Sequence, residues 1–134
     1  MKTEEFDVDM SQRRFLDLTD RLRSFTSAEG GDGLVNVFVP HATAGLALME
    51  TGSGSEEDLE AAIDRLLPRD DRYVHSHGSS GHGADHVLPA FISSSLSVPV
   101  VDGTPQLGTW QSVVLIDTNR DNPRRKVRFS FISG

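Results

Sequence analysis

Four of the five histidines in the chain fall within a stretch of twelve residues: His75, His77, His82 and His86. The imidazole ring is the commonest metal ligand in proteins and the usual general base near neutral pH. If a helix begins here, the four-residue spacing places His82 and His86 on one face of it, and the carboxyl group of Asp85 could orient one of the rings. The pattern is typical of a metal or acid–base site, and a solvated polar loop is the alternative.

The fifth histidine, His41, follows an apolar segment that has the pattern of a strand and ends at Pro40. A loop that follows a buried strand is a rigid support for a functional side chain. Glu50 could face the same cleft if the chain between the two is extended. Thr43 would be a weak nucleophile, because no activating base is evident beside it. A histidine that only bonds the backbone at a strand end is the alternative.

Two further groups of side chains could bind a substrate. Trp110 and Gln111 could stack on and hydrogen-bond an aromatic heterocycle, although a single tryptophan is more often a core anchor. Arg124 and Arg125 could bind phosphate oxygens, because the planar guanidinium fork matches them. Residues 119–134 carry five basic side chains against one acid, which indicates either an anion site or a solvated sheet edge.

Composition limits the class of protein. A chain of 134 residues fits one domain spanning residues 1–134. The absence of cysteine excludes disulfides, thiolate zinc sites and a cysteine nucleophile. A formal net charge of −7 argues against nucleic-acid binding, and no apolar run approaches the roughly 18 residues of a membrane span. We therefore expect a soluble, cytoplasmic protein that binds neither nucleic acid nor membranes.

The hydrophobic pattern predicts an α+β chain with about five strands and three helices. The strands are expected at 6–10, 34–39, 96–101, 107–118 and 126–132, and the helices at 17–25, 55–67 and 87–94. Ser55 and Asp58 have the spacing of a capping box at the start of the second helix. Pro89 would lie in the first turn of the third helix, where proline is tolerated. The last three strands are expected to form an antiparallel meander.

Several of these segments recur together in one known family. They are 14–19 (RFLDLT), 39–44 (VPHATA), Glu50, 73–75 (YVH), 85–87 (DHV), 108–111 (GTWQ), Asp117 and the pair Arg124 and Arg125. In this combination, which covers nearly the whole chain, they resemble the YjbQ-like family, also called the secondary thiamine-phosphate synthase family. The resemblance implies a single β-sandwich-like α+β domain with mainly antiparallel strands and about three flanking helices, assembled as a homotrimer.

The resemblance also implies a site and an activity. The family's active cleft lies near the subunit boundary and gathers histidines, an acid and arginines. The implied reaction joins a hydroxymethylpyrimidine diphosphate to a thiazole phosphate and releases diphosphate, as a secondary activity. On this basis we expect His41, Glu50 and Asp117 to be catalytic, Thr43, Trp110, Gln111, Arg124 and Arg125 to bind substrate, and His41, His75 and His86 to hold a divalent metal ion.

The sequence departs from the family pattern in ways that affect the metal. Ala42 replaces a common threonine, and Met49 stands where an asparagine is frequent before the acid. The loop between residues 76 and 84 is rich in glycine, serine and histidine instead of acids, so it suits zinc better than magnesium. His75 is preferred as the middle ligand because its Tyr-x-His context matches the family.

Three functions remain open at this point. The first is the synthase reaction, with the arginines holding diphosphate. The second is a divalent-metal-dependent hydrolase of a small phosphorylated or acylated metabolite, in which Glu50 or Asp117 activates water. The third is a non-enzymatic trimer that binds an anion or metabolite beneath a histidine-rich lid.

Overall fold

The computed structural model describes residues 1–75 and 78–134, so His77 lies outside the described residues. Eight strands and three helices occur in this part of the chain. The strands are β1 (Lys2–Asp9), β2 (Phe15–Asp17), β3 (Gly33–Phe38), β4 (Ala44–Met49), β5 (Ser95–Val101), β6 (Thr104–Pro105), β7 (Ser112–Asp117) and β8 (Arg124–Ser133). The helices are α1 (Thr19–Glu29), α2 (Ser55–Leu66) and α3 (His82–Phe91).

The strands form two antiparallel sheets, one with the order β1-β8-β3-β5-β6 and one with the order β2-β7-β4. Together with the three helices, they confirm the expected single-domain α+β fold with mainly antiparallel strands. The meander expected for the last three strands is wrong, because β7 lies in the second sheet while β8 pairs with β1 and β3 in the first. The reason is the composition of β7, which is apolar on both faces and therefore occupies the centre of a covered sheet.

Strand β7 separates two hydrophobic cores. Val113 and Leu115 face the core between the sheets, which α1 also closes with Leu22. Val114 and Ile116, on the opposite face of the strand, belong to a second core beneath α2 and α3. Because successive strand residues point to opposite faces, this one strand holds both layers together. The polar residues that follow it are thereby fixed at the end of the second sheet.

Three strands were not expected from the sequence. Strands β2 and β6 have three and two residues, which is too short for a periodic pattern. Strand β4 reads AGLALM, which lacks the β-branched residues that mark strands. The predicted strand at 107–118 begins only at Ser112, because Gln111 accepts a hydrogen bond from the backbone N of Gly108 at 2.8 Å and closes a turn.

The first two helices begin with different caps. The backbone N of Thr19 donates to Asp17 at 2.9 Å, so α1 begins two residues later than the pattern predicts. The capping box expected at Ser55 does not form, because Gly54 caps α2 in a left-handed conformation without a side-chain hydrogen bond. No helix in the described part of the chain has the length and apolar character needed to cross a membrane.

The third helix begins at His82, five residues before its predicted start. Pro89 consequently lies inside the helix and not in its first turn, which corrects the sequence-based expectation. A proline at this position removes the hydrogen bond to the carbonyl oxygen of Asp85. The early start matters for function, because it places two of the histidines on one helical face.

Candidate functional site

Three histidines lie together at the start of α3, and we refer to His75, His82 and His86 as the histidine cluster. Each offers one ring nitrogen, and these nitrogens all lie within 4.8 Å of one another. Nε2 of His82 and Nε2 of His86 are 3.0 Å apart. The ring centroid of His75 lies 4.4 Å from that of His86 and 5.0 Å from that of His82. His75 and His86 are exposed and His82 is half-buried, so the cluster can be reached from solvent.

Two glycines allow the helix to begin where it does. Gly81 has a φ of +87°, which favours glycine, and it lies against the guanidinium of Arg69. A side chain at Gly83 would collide with the backbone carbonyl oxygen of His75 and with the side chain of Tyr73. The first turn of α3 can therefore lie directly against the 73–75 segment, which brings His75 to the pair on the helix.

A carboxylate from the turn after β7 orients the half-buried histidine. Oδ2 of Asp121 lies 2.9 Å from Nδ1 of His82. Hydrogen bonds from Ser79 and His82 lower the pKa of Asp121 to about 2, so this carboxylate is ionised near neutral pH and can only accept. Nδ1 of His82 therefore donates to this carboxylate, which in the neutral ring leaves the lone pair on Nε2, the nitrogen that faces His86. A carboxylate behind an imidazole is the usual support of a metal-binding histidine.

Asp85, which the sequence suggested as the residue orienting a histidine, has a different role. Thr118 and Asn119 donate to its carboxylate at 2.6 and 3.0 Å, and Arg69 donates at 2.5 Å. The carboxylate is fully buried. Because the side chain of Asn119 also accepts a hydrogen bond from the backbone N of Asp121 at 3.0 Å, this network fixes the turn that orients His82.

A second buried network lies at the same end of β7. Nε of Arg125 donates to Asp117 at 2.5 Å, and Nη2 of Arg125 donates to Thr43 at 2.7 Å. The side chains of Arg125 and Asp117 are only 4% and 0% exposed. Arg124 is exposed and lies 3.4 Å from Asp7 on the neighbouring strand. These residues bind one another in this chain, and their roles in substrate binding and catalysis stay predictions.

His41 lies beside this buried ion pair and not with the other histidines. Its Nε2 accepts a hydrogen bond from the backbone N of Lys126 at 2.8 Å. Burial lowers the pKa of His41, and the positive charge of Arg125 lowers it further. The neutral ring therefore carries its proton on Nδ1. The structure groups His82, and not His41, with the other two expected metal ligands.

Three further residues expected in the site lie elsewhere along the second sheet. One end of the β4–β7 pair is at Ser112, and beside it lie Glu50, Trp110 and Gln111. Asp117 lies at the other end of the pair. These ends are five residues apart, which is roughly 17 Å. Trp110 is 73% exposed and so is not a core anchor. Within one chain, the structure does not bring these three residues to the histidine cluster.

The histidine cluster fits a transition-metal ion of the zinc type. Nitrogen ligands of zinc lie 2.0–2.1 Å from the ion in a tetrahedron, so they are roughly 3.3 Å from one another. The ring nitrogens of the cluster are within 4.8 Å, a separation from which small side-chain rotations reach this geometry. A cavity of about 220 Å³ lies beside His75 and His82, and it is lined by the glycines and serines of the 78–83 loop together with Asp70, Asp71 and Tyr73. The arrangement can thus hold an ion next to a space for a small ligand.

Sequence reasoning missed three residues of this site or placed them differently. The four-residue spacing between His82 and His86 indicated that the two rings could share a helical face. Whether His82 joins the histidine cluster nevertheless depends on where α3 begins. Asp121 belongs to a run of polar residues directly after a buried strand, which is a position where function is common. Arg69 gave no signal, because it reaches Asp85 across 16 residues of chain.

Comparisons with known proteins place the chain in one family. The family model described as UPF0047 protein YjbQ-like matches residues 4–134. The UPF0047 protein Rv2556c of Mycobacterium tuberculosis is 63% identical over 134 residues, covering 100% of both chains. A UPF0047 protein of Methanothermobacter thermautotrophicus is 31% identical over 132 residues, covering 96% of this chain and 90% of that one.

Solved structures agree with this placement. A hypothetical protein from Aeropyrum pernix K1 has a TM-score of 0.87 and 31% identity, with 100% of both chains covered. A YbjQ-like protein of unknown function from Sulfolobus solfataricus P2 shares the fold, with a TM-score of 0.90, 20% identity, and 99% of this chain and 97% of that one covered. The chain therefore belongs to the YjbQ-like UPF0047 family.

Proposed function

We propose that this protein is a zinc-dependent enzyme that hydrolyses a small phosphorylated or acylated metabolite at the histidine cluster. The observation that carries the proposal is the convergence of His75, His82 and His86, with Asp121 behind His82. Three protein ligands and an open position are typical of catalytic zinc, whereas structural zinc has four. Among the described residues three ligands converge, and two of them, His75 and His86, are exposed to solvent, which favours the catalytic type.

The donor set favours zinc over magnesium. Magnesium prefers oxygen ligands, while imidazole suits zinc and related transition metals. Of the carboxylates near the cluster, Asp85 binds Arg69 and Asp121 binds His82. Asp70 and Asp71 line the adjoining cavity, where Asp70 accepts from Arg72, and neither belongs to the group of ring nitrogens that converge. The residues offered to the ion are therefore nitrogen ligands.

The side chains of the histidine cluster would hold the ion in a fixed place. Asp121 holds the proton on Nδ1 of His82, which keeps Nε2 available as a ligand. His86 holds the second position from the same helical face, and His75 holds the third from the adjoining segment. When bound, the ion supplies Lewis acidity toward a phosphoryl or carbonyl oxygen. The small side chains of the 78–83 loop leave room for the substrate beside it.

The synthase activity implied by the family resemblance stays a prediction, and it has less support from the geometry. It assigns diphosphate binding to Arg124 and Arg125, yet Arg125 is buried against Asp117 and Thr43. Arg124 pairs with Asp7 on the sheet surface. A role for these arginines in binding would require a rearrangement or a neighbouring subunit.

The cytoplasmic location also stays a prediction.

The homotrimer is part of the proposal, and an apolar row on the first sheet supports it. Leu34 and Ile132 are cross-strand partners, and both are exposed, at 46% and 52%. Val101, on the same sheet, is 50% exposed. Association through this face would cover side chains that otherwise contact water. Light scattering of the wild type and of Ile132→Lys tests this, since we expect a trimer that the lysine weakens.

An activity screen tests the proposed reaction. Metal-stripped protein is assayed against phosphate monoesters and carboxylic esters, with and without added zinc, beside His86→Ala and the control His41→Ala. We expect hydrolysis that depends on zinc and is lost in His86→Ala but retained in His41→Ala. Hydrolysis that is independent of metal, or equal in the wild type and His86→Ala, would contradict the proposal.

A further inference from the structure

A second cleft, which we call the arginine cleft, lies between the loop joining β1 to β2, helix α2 and the segment after β7. Its volume is about 430 Å³, within the range of roughly 300–1,000 Å³ typical of small-molecule sites. Arg13, Arg14 and Arg120 line it, together with uncharged polar side chains that include Ser11 and Asn119. None of the described histidines lines this cleft, so it is a separate feature from the histidine cluster.

The acids that line the arginine cleft are already neutralised. Glu60 accepts a hydrogen bond from Arg14 at 3.1 Å. Asp117 is held in the buried ion pair with Arg125. Neither acid therefore contributes an uncompensated negative charge to the cleft.

The other two arginines of the cleft form no ion pair with the acids that line it. Among the described residues, neither Arg13 nor Arg120 lies within ion-pair distance of a carboxylate, although the chain as a whole carries seven net negative charges. Both residues are exposed, and they come from two different loops that meet at one concave surface. Arg13 interacts with Asp9 over a longer distance, but Asp9 does not line the cleft. In a chain with excess acid, two guanidinium groups that face one cleft without an ion-paired carboxylate indicate an anion as the occupant.

We propose that the arginine cleft binds the phosphate group of a small phosphorylated metabolite, with Arg13 and Arg120 as its principal ligands. The guanidinium fork donates two parallel hydrogen bonds to phosphate oxygens. The cleft exceeds the size of a bare phosphate ion, and the exposed side chains of Ser11 and Gln12 beside it suit a polar organic body. The proposal concerns a site distinct from the proposed zinc site and does not depend on it.

Calorimetric titration of metal-free protein tests this proposal. The probes are inorganic phosphate and glycerol phosphate, in a chloride buffer of low ionic strength. The proteins are the wild type, Arg13→Gln, Arg120→Gln and the control Arg23→Gln, which removes the same charge from an exposed position on α1. We expect saturable binding of glycerol phosphate that weakens roughly tenfold in each cleft variant and is unchanged in the control.

Two results would overturn the proposal. The first is an absence of saturable binding to the wild type, or an equal loss in Arg23→Gln, which would indicate a response to net charge alone. The second is inorganic phosphate binding as tightly as glycerol phosphate, which would exclude a site built for a metabolite. Because metal is absent throughout, these results are independent of whether the histidine cluster binds zinc.

Discussion

The carboxylate of Asp121 lies 2.9 Å from Nδ1 of His82, whose Nε2 lies 3.0 Å from Nε2 of His86. Asp121 lies in the turn after β7, whereas His82 lies in the first turn of α3. The contact couples the geometry of the histidine cluster to the end of the second sheet. The order of the cluster therefore depends on the buried network around Asp85 as well as on the histidines themselves.

Replacing Asp121 should weaken zinc binding without unfolding the protein. In Asp121→Asn the negative charge behind His82 is lost, so we expect zinc affinity to fall by about 10- to 100-fold. Competition with a chromophoric chelator measures this affinity. Asp102→Asn is the matched control, because asparagine tolerates the positive φ of 49° at that residue. Equal affinities in the two variants would exclude a supporting role for Asp121.

Removing the buried carboxylate of Asp85 should destabilise the fold. Asp85→Ala removes the carboxylate that pairs with Arg69, leaving its contact with the carbonyl oxygen of Ser80, and it removes acceptors from Thr118 and Asn119. We expect the free energy of unfolding to fall by about 3 kcal/mol. Urea denaturation measures the change, with the exposed Asp71→Ala as a control that should stay within about 0.5 kcal/mol. A loss below 1 kcal/mol in Asp85→Ala would contradict this reading.

The hydrogen bond between Thr43 and Arg125 should contribute measurably to stability. Thr43→Val keeps the side-chain shape but removes the oxygen that accepts from Nη2 of Arg125. Since the donor is charged and buried, we expect a loss of about 1.5–3 kcal/mol by denaturant unfolding. Thr3→Val, an exposed replacement in strand β1, is the control for the change of residue type. A similar small effect at both positions would show that the contact is dispensable.

His41 should make the stability of the protein fall in mild acid. Its pKa is lowered in the folded state by burial and by Arg125, so below about pH 6.5 the unfolded chain binds a proton that the folded chain does not. Stability is therefore fully present above that pH and decreases as the pH falls toward the folded-state pKa. His41→Gln, measured without metal, should lose less stability than the wild type between about pH 7.5 and 5.5. Equal losses would mean that this titration does not affect folding.

The sequence predicted the regular elements well where burial imposes a clear period. Helix α2 and strands β3 and β5 lie within one residue of their expected bounds, because their apolar residues repeat at helical or alternating spacing. Strand β4 was missed, since its alanines, leucines and methionine favour a helix as readily as a strand. Strand pairing was also misjudged, because the position of β7 depends on two cores that form only after the helices pack.

The sequence predicted a metal site near the clustered histidines, but it did not predict correctly which residues form that site. A metal site that draws on the four clustered histidines was expected, with His41, His75 and His86 as its ligands. The sequence therefore favoured His41 over His82 as a ligand, and Asp85 over Asp121 as the supporting carboxylate. The first choice depends on the left-handed conformation of Gly81, with which α3 begins at His82. The second depends on the turn after β7, which Asn119 holds in place. Spacing along the chain could not show that Asp121, 39 positions after His82, would return to it.

Zinc stoichiometry of purified, zinc-loaded and dialysed protein tests the central claim most directly. The comparison uses the wild type, His82→Ala and His41→Ala, with circular dichroism to show that each variant is folded. We expect about one zinc ion per chain in the wild type and in His41→Ala, and none in His82→Ala. Zinc that is retained in His82→Ala but lost in His41→Ala, or a wild type that binds none, would contradict the assignment of His75, His82 and His86 as the metal ligands.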